Sequence, residues 1–138
     1  MEIPEFHLAI PVHDLEKSRL FYTEILNCTE GRASNHWVDL NFFGHQLVIH
    51  ETKMKAENKF NEVDGNQVPV PHFGVVLDWD SFHNFAEMLR NKKVKFEIEP
   101  YVRFKNLPGE QATMFFYDPS GNALEFKAFK DKTELFKS

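Results

Sequence analysis

Cysteine is nearly missing from this chain. Among 138 residues only Cys28 carries a thiol, which excludes an internal disulfide and any metal site built from cysteines. Long apolar runs are missing too: nothing approaches the roughly 20 residues of a membrane-spanning helix. The opening MEIPEFHLAI has neither the basic flank nor the extended apolar centre of a secretory leader. Blocks of Lys and Arg are also lacking, and the formal net charge is -5, so there is no electrostatic footprint for nucleic acid or an anionic membrane. These absences leave a cytoplasmic protein with neither partner as the expectation.

Phenylalanine, by contrast, is abundant. The chain has 15 of them, with 42% hydrophobic and 27% charged residues overall, a globular balance with an aromatic-rich interior. At this length one domain buries roughly two-thirds of its unfolded surface.

The pattern along the chain is doubled. Phe6 to Val12 alternates as a strand, and Asp14 is placed to cap a helix over LEKSRLFYTEIL with Leu20, Phe21 and Ile25 as its buried face. Strands are expected at Thr29 to Ser34, Trp37 to Phe43 and His45 to Glu51, the last two joined at Gly44. The segment from Thr52 to Val68 is polar and aperiodic, so it reads as a connector. The plan then restarts. Pro71 to Leu77 is a strand, Asp80 begins a helix with Phe82, Phe85 and Leu89 inward, and strands follow at Val94 to Glu99, Ala112 to Tyr117 and Ala123 to Ala128. HLAIPV at His7 aligns with HFGVVL at His72, and GHQLVIH at Gly44 with GNALEFK at Gly121. The second offset is the longer, which a loop between Tyr101 and Gln111 explains. The reading is a single domain, 1–138, of two βαβββ modules at about 5–52 and 70–129, joined by connector 53–69.

The doubled plan, a His in the first strand of each half, and DPSGNALEFK at Asp118 to Lys127 together resemble the vicinal oxygen chelate superfamily. That group includes glyoxalase I, fosfomycin-resistance enzymes, bleomycin-resistance proteins and extradiol dioxygenases. The resemblance runs from about Phe6 to Phe129 and is nearest to small extradiol-type members. It implies an α+β fold whose two modules form a curved, incompletely closed eight-stranded mixed sheet around a metal cup. His7, His72 and Glu125 stand at the matching ligand positions, and small members of the group often pair as homodimers.

Strand alternation reaches the same trio by another route. It sets His7 with Ala9 and Pro11, His72 with Gly74 and Val76, and Glu125 with Ala123 and Lys127, on faces opposite the bulky residues. A carboxylate on an enclosed face is costly unless it is paired or holds a cation. Two imidazoles and a carboxylate with open positions suit Fe(II) foremost, with Mn(II), Ni(II) or Zn(II) as alternatives. Glyoxalase-type enzymes take a fourth ligand from the last strand of the first half, where this chain has Val48, which can neither bind metal nor move a proton. The expectation is therefore a metal-dependent, extradiol-type dioxygenase acting on a catechol-like small molecule with O2. The alternatives are a glyoxalase- or fosfomycin-resistance-type lyase or transferase, and a metal-free bleomycin-type binding protein. His50, then Tyr101, are the candidate acid/base groups. Gln46, Arg103, Glu110 and Lys127 are the candidate substrate contacts.

Overall fold

A computed structural model describes residues 2–53 and 57–138. They fall into two compact units, Met1–Glu57 with Asp118–Asn122, and Asn58–Tyr117 with Ala123–Ser138. None of the described helices is long and apolar enough to cross a membrane.

The first unit opens with β1 (His7–Val12), then α1 (Leu15–Leu20), which widens into a π-helical turn over Phe21–Ile25. It continues with β2 (Thr29–Ala33), β3 (Trp37–Phe42) and β4 (His45–Glu51). The sheet order is β1-β4-β3-β2, with β1 parallel to β4 and the other pairs antiparallel. Phe43 and Gly44 both take positive φ between β3 and β4, as a tight two-residue hairpin of the primed type requires. Asp14 caps α1 as expected, its Oδ1 accepting from the Lys17 amide at 3.0 Å.

The buried face of this helix differs from the expected one. Leu15, Ser18, Tyr22 and Leu26 are buried, whereas Leu20 is 45% exposed and Phe21 and Ile25 are only half-buried. Steps of three and four residues join Leu15, Ser18, Tyr22 and Leu26 into one helical face, and Leu20 and Phe21 lie off it. In the wide turn that ends the helix, Leu26 N bonds to Phe21 O, five residues back, and the Thr23 hydroxyl bonds back to Arg19 O. Tyr22 lies on this buried face, and its hydroxyl donates to Asp118 Oδ2 at 2.8 Å. Asp118 Oδ1 also accepts from the amides of Ser120 and Asn122. Asn122 Nδ2 donates to Pro11 O, and Ser120 Oγ accepts from His13 N. The DPSGN turn is thus a hydrogen-bonded staple inside the first unit.

The second unit begins with a hairpin, β5 (Lys59–Val63) and β6 (Asn66–Val70). The aperiodic connector expected at 53–69 is therefore corrected for its described part, while residues 54–56 lie outside the described residues. Then come β7 (His72–Phe73), β8 (Val76–Leu77), α2 (Trp79–Asn91), β9 (Phe96–Arg103), β10 (Gln111–Tyr117), β11 (Ala123–Phe129) and a 3-10 turn at Lys132–Glu134. Their order is β7-β11-β10-β9, with β8 also on β11. Helix α2 starts one residue after Asp78, so Asp80 lies in its first turn and is not the cap. Phe82, Ala86 and Leu89 are buried, and Phe85 packs edge-on against Phe126 of β11.

The strand expected over Pro71–Leu77 is split into two short pieces around Gly74. A Cβ placed on Gly74 would stand 1.6 Å from Glu125 O, so only glycine lets this segment pass β11. The α+β class holds, and the described strands close no barrel. Hydrogen bonding divides the strands among sheets of four, five and two.

Candidate metal centre

Alternation along β11 sends Leu124, Phe126 and Ala128 into the core, while Glu125 and Lys127 project from the other face half-covered. The His72 Nδ1 lies 2.7 Å from the Pro69 carbonyl oxygen. A carbonyl can only accept, so Nδ1 carries the hydrogen, and Nε2 is left to face Glu125 Oε1 at 3.1 Å. An imidazole nitrogen and a carboxylate oxygen this close need a positive centre between them, either a proton or a metal ion. The protonation preferences agree. The hydrogen bond with Glu125 raises the His72 pKa. Burial alone would raise that of Glu125, but hydrogen bonds from His72 and Thr113 and the charge of Lys127 hold it below the usual carboxylate range. The donor set therefore fits a divalent cation of the kind bound by nitrogen and oxygen.

Around this pair, the Thr113 hydroxyl donates to Glu125 Oε2 at 2.5 Å, and Lys127 Nζ stands 4.0 Å from the same oxygen. The Phe115 ring meets the His72 ring edge to face at 5.1 Å and is buried with Val68 and Ile98.

In the first unit, His7 lies opposite Gln46 in the β1–β4 register, and its Nδ1 is 2.8 Å from Gln46 Oε1. Both matched histidines thus have Nδ1 tied to an oxygen, the arrangement that orients Nε2 for an ion. Among the described residues no group of three or more His, Cys, Asp or Glu is gathered to hold a metal. The second unit brings together two of the three expected ligands, and the third belongs to the first unit. His50 is exposed on β4, between Pro11 and Trp37, and Val48 is buried.

The remaining expected residues have partners of their own. The Tyr101 hydroxyl donates to Asp64 Oδ2 at 3.1 Å; burial and that bond raise its pKa. Arg103 Nε reaches the same oxygen at 2.5 Å as an ion pair without hydrogen-bond alignment. Gln46 is engaged by His7, and Lys127 lies over the Phe129 ring. Glu110 is 9% exposed, accepting from the Asn106 amide and facing Lys130 Nζ at 3.8 Å; it ties down its own loop. Sequence reasoning missed Thr113, Asp64 and Gly74. Only a glycine inside a strand pattern signalled the last.

A family model described as Glyoxalase/Bleomycin resistance protein/Dioxygenase superfamily matches residues 6–126. The chain is similar to the structure of a glyoxalase/bleomycin resistance protein/dioxygenase from Alicyclobacillus acidocaldarius, with 33% identity over 96% of each chain and a TM-score of 0.80. It is also similar to the genomically encoded fosfomycin resistance protein of Listeria monocytogenes, with 19% identity over 98% of this chain and 100% of that one, TM-score 0.72. A lactoylglutathione lyase from Agrobacterium tumefaciens shares 14% identity over 98% and 97%, TM-score 0.68. The last two likenesses speak for the fold alone. No match was found among curated proteins.

Proposed function

Because the chain belongs to the glyoxalase/bleomycin resistance protein/dioxygenase superfamily, we propose that it is a metal-dependent enzyme acting on a small molecule, with His7, His72 and Glu125 as the ligands. The observation that carries this reading is the approach of His72 Nε2 to Glu125 Oε1 at 3.1 Å. Two of the proposed ligands belong to the second unit and His7 to the first, and a homodimer is the proposed assembly. A bound divalent ion, Fe(II) foremost, supplies Lewis acidity that lowers the pKa of a substrate hydroxyl.

The favoured reaction is extradiol-type cleavage of a catechol-like substrate with O2 as co-substrate. Val48 supports it, since a buried valine leaves three protein ligands and more open positions than a four-ligand site. His50 and Tyr101 are the groups proposed to move protons on the substrate, and Gln46 and Glu110 to contact it. A second reading, a lyase or transferase of the glyoxalase or fosfomycin-resistance type, is favoured by two cations. The register from β9 through β10 to β11 puts Arg103 and Lys127 on the face that carries Glu125, suited to an anionic substrate group.

The test is metal analysis of protein purified without a His tag, followed by oxygen uptake with a panel of catechols under Fe(II). Bound metal that is lost in His72→Ala and Glu125→Ala is expected; full occupancy in either variant refutes the ligand set. Oxygen uptake selects the dioxygenase, bound metal without uptake selects the second reading, and no bound metal leaves a binding protein.

A further inference from the structure

Resting on the reading that Glu125 is a metal ligand, we propose that Thr113 is a positioning residue that locks the Glu125 carboxylate so that Oε1 alone is offered to the ion. The two oxygens of this carboxylate are not equivalent. Oε1 faces His72 Nε2, whereas Oε2 receives the Thr113 hydroxyl at 2.5 Å and has Lys127 Nζ 4.0 Å away. In the β10–β11 register Thr113 is opposite Lys127 and Phe115 is opposite Glu125. Thr113 is therefore the diagonal neighbour of Glu125 on the same face, within side-chain reach across a ladder.

The hydroxyl is well placed to act as a fixed stop. Thr113 is 4% exposed, and a β-branched side chain in a strand has little freedom at χ1. At the other end of the residue, the Glu125 backbone is flanked by Gly74 so closely that no side chain fits between them. The glutamate is thus held at its main chain and at one carboxylate oxygen. A free glutamate would present either oxygen, or both; this one presents a single oxygen and preserves open positions on the ion for substrate. Hydrogen-bonding partners of ligating carboxylates tune affinity by about 10–100-fold.

The experiment titrates metal-free protein with Mn(II), reading free Mn(II) by electron paramagnetic resonance, and with Co(II), reading its visible absorption. Wild type, Thr113→Val, Thr113→Ser and Glu125→Gln are compared, with the denaturant midpoint of each metal-free protein recorded. Thr113→Val keeps the shape and removes the donor, and it is expected to bind Mn(II) roughly 10–100-fold more weakly with an altered Co(II) spectrum. Thr113→Ser, which restores the hydroxyl, is expected to recover both the affinity and the spectrum. Should Thr113→Val not fold, Thr113→Ala takes its place.

The proposal is overturned if Thr113→Val matches wild type in affinity and spectrum, or if Thr113→Ser is as impaired as Thr113→Val, since bulk and not the hydroxyl would then matter. A wild type that binds neither ion overturns the ligand assignment itself. Tight binding by wild type that is lost in Glu125→Gln keeps that assignment whatever Thr113→Val does, so the two failures are separable.

Discussion

Replacing Gly74 by alanine tests the close approach of this segment to the Glu125 backbone. The new Cβ would stand 1.6 Å from Glu125 O and 2.7 Å from Glu125 C, and these atoms must separate to at least 3.0 Å. The obstacle is backbone, which cannot swing aside as a side chain does. Displacement strains the pairings of His72 with Ala123 and Val76 with Lys127 and the bond from Lys127 N to Val75 O. Losing one such bond costs about 1 kcal/mol, and forcing extra volume into a packed site about 1–3 kcal/mol. The expected destabilisation is therefore about 2–4 kcal/mol, or roughly 6–15 °C in Tm for a chain of this size. Gly31→Ala is the control. Its Cβ would lie 3.5 Å from Asp39 Cβ, an ordinary contact, so it should be neutral or stabilise by about 0.4–1 kcal/mol through the unfolded chain. Urea denaturation followed by circular dichroism reads both variants. Equal midpoints for the two would refute the close approach.

Two further outcomes follow from the same geometry. Tyr22→Phe removes the donor to Asp118 Oδ2, but Asn122 Nδ2 still serves that oxygen, so the cost should be about 1–2 kcal/mol in chemical denaturation; no loss would mean that the buried hydroxyl is not held there. In metal-free protein the His72–Glu125 pair should make stability depend on pH. The raised His72 pKa contributes stability that is complete below its ordinary value of 6.5 and is lost as pH rises through the raised value. The lowered Glu125 pKa contributes stability present above 4.5 and lost as pH falls through the lowered value. The contribution of the pair is therefore greatest between 4.5 and 6.5. Denaturation across pH should show a bell relative to Glu125→Gln, and parallel profiles would remove the pair.

Legibility in the sequence followed how local the cause was. Strands β1 and β3 alternate, and the strands of the first module appeared where expected, as did the Asp14 cap. Strand β5 was missed because four of its five residues are exposed, which erases the period-two signal, although Asp64-Gly65 is a hairpin turn in its own right. Strand β9 was expected to stop before Pro100 yet runs to Arg103. It lies at the edge of its sheet, where a missing N–H costs a proline little. The buried face of the first helix was misjudged because it carries Ser18 and Tyr22, polar residues whose partners, Ser120 and Asp118, lie far along the chain.

The doubled plan and the candidates His7, His72 and Glu125 were readable from repeats and alternation, which are properties of neighbouring residues, and the family from its likeness in DPSGNALEFK. Which atoms those side chains present is set by packing between distant segments. That His72 turns Nε2 toward Glu125 depends on Pro69 O, and that Glu125 turns Oε1 toward His72 depends on the hydroxyl of Thr113. The latter contact is set by strand register and by the close passage at Gly74, and both arise from pairing between distant segments, which no local pattern records.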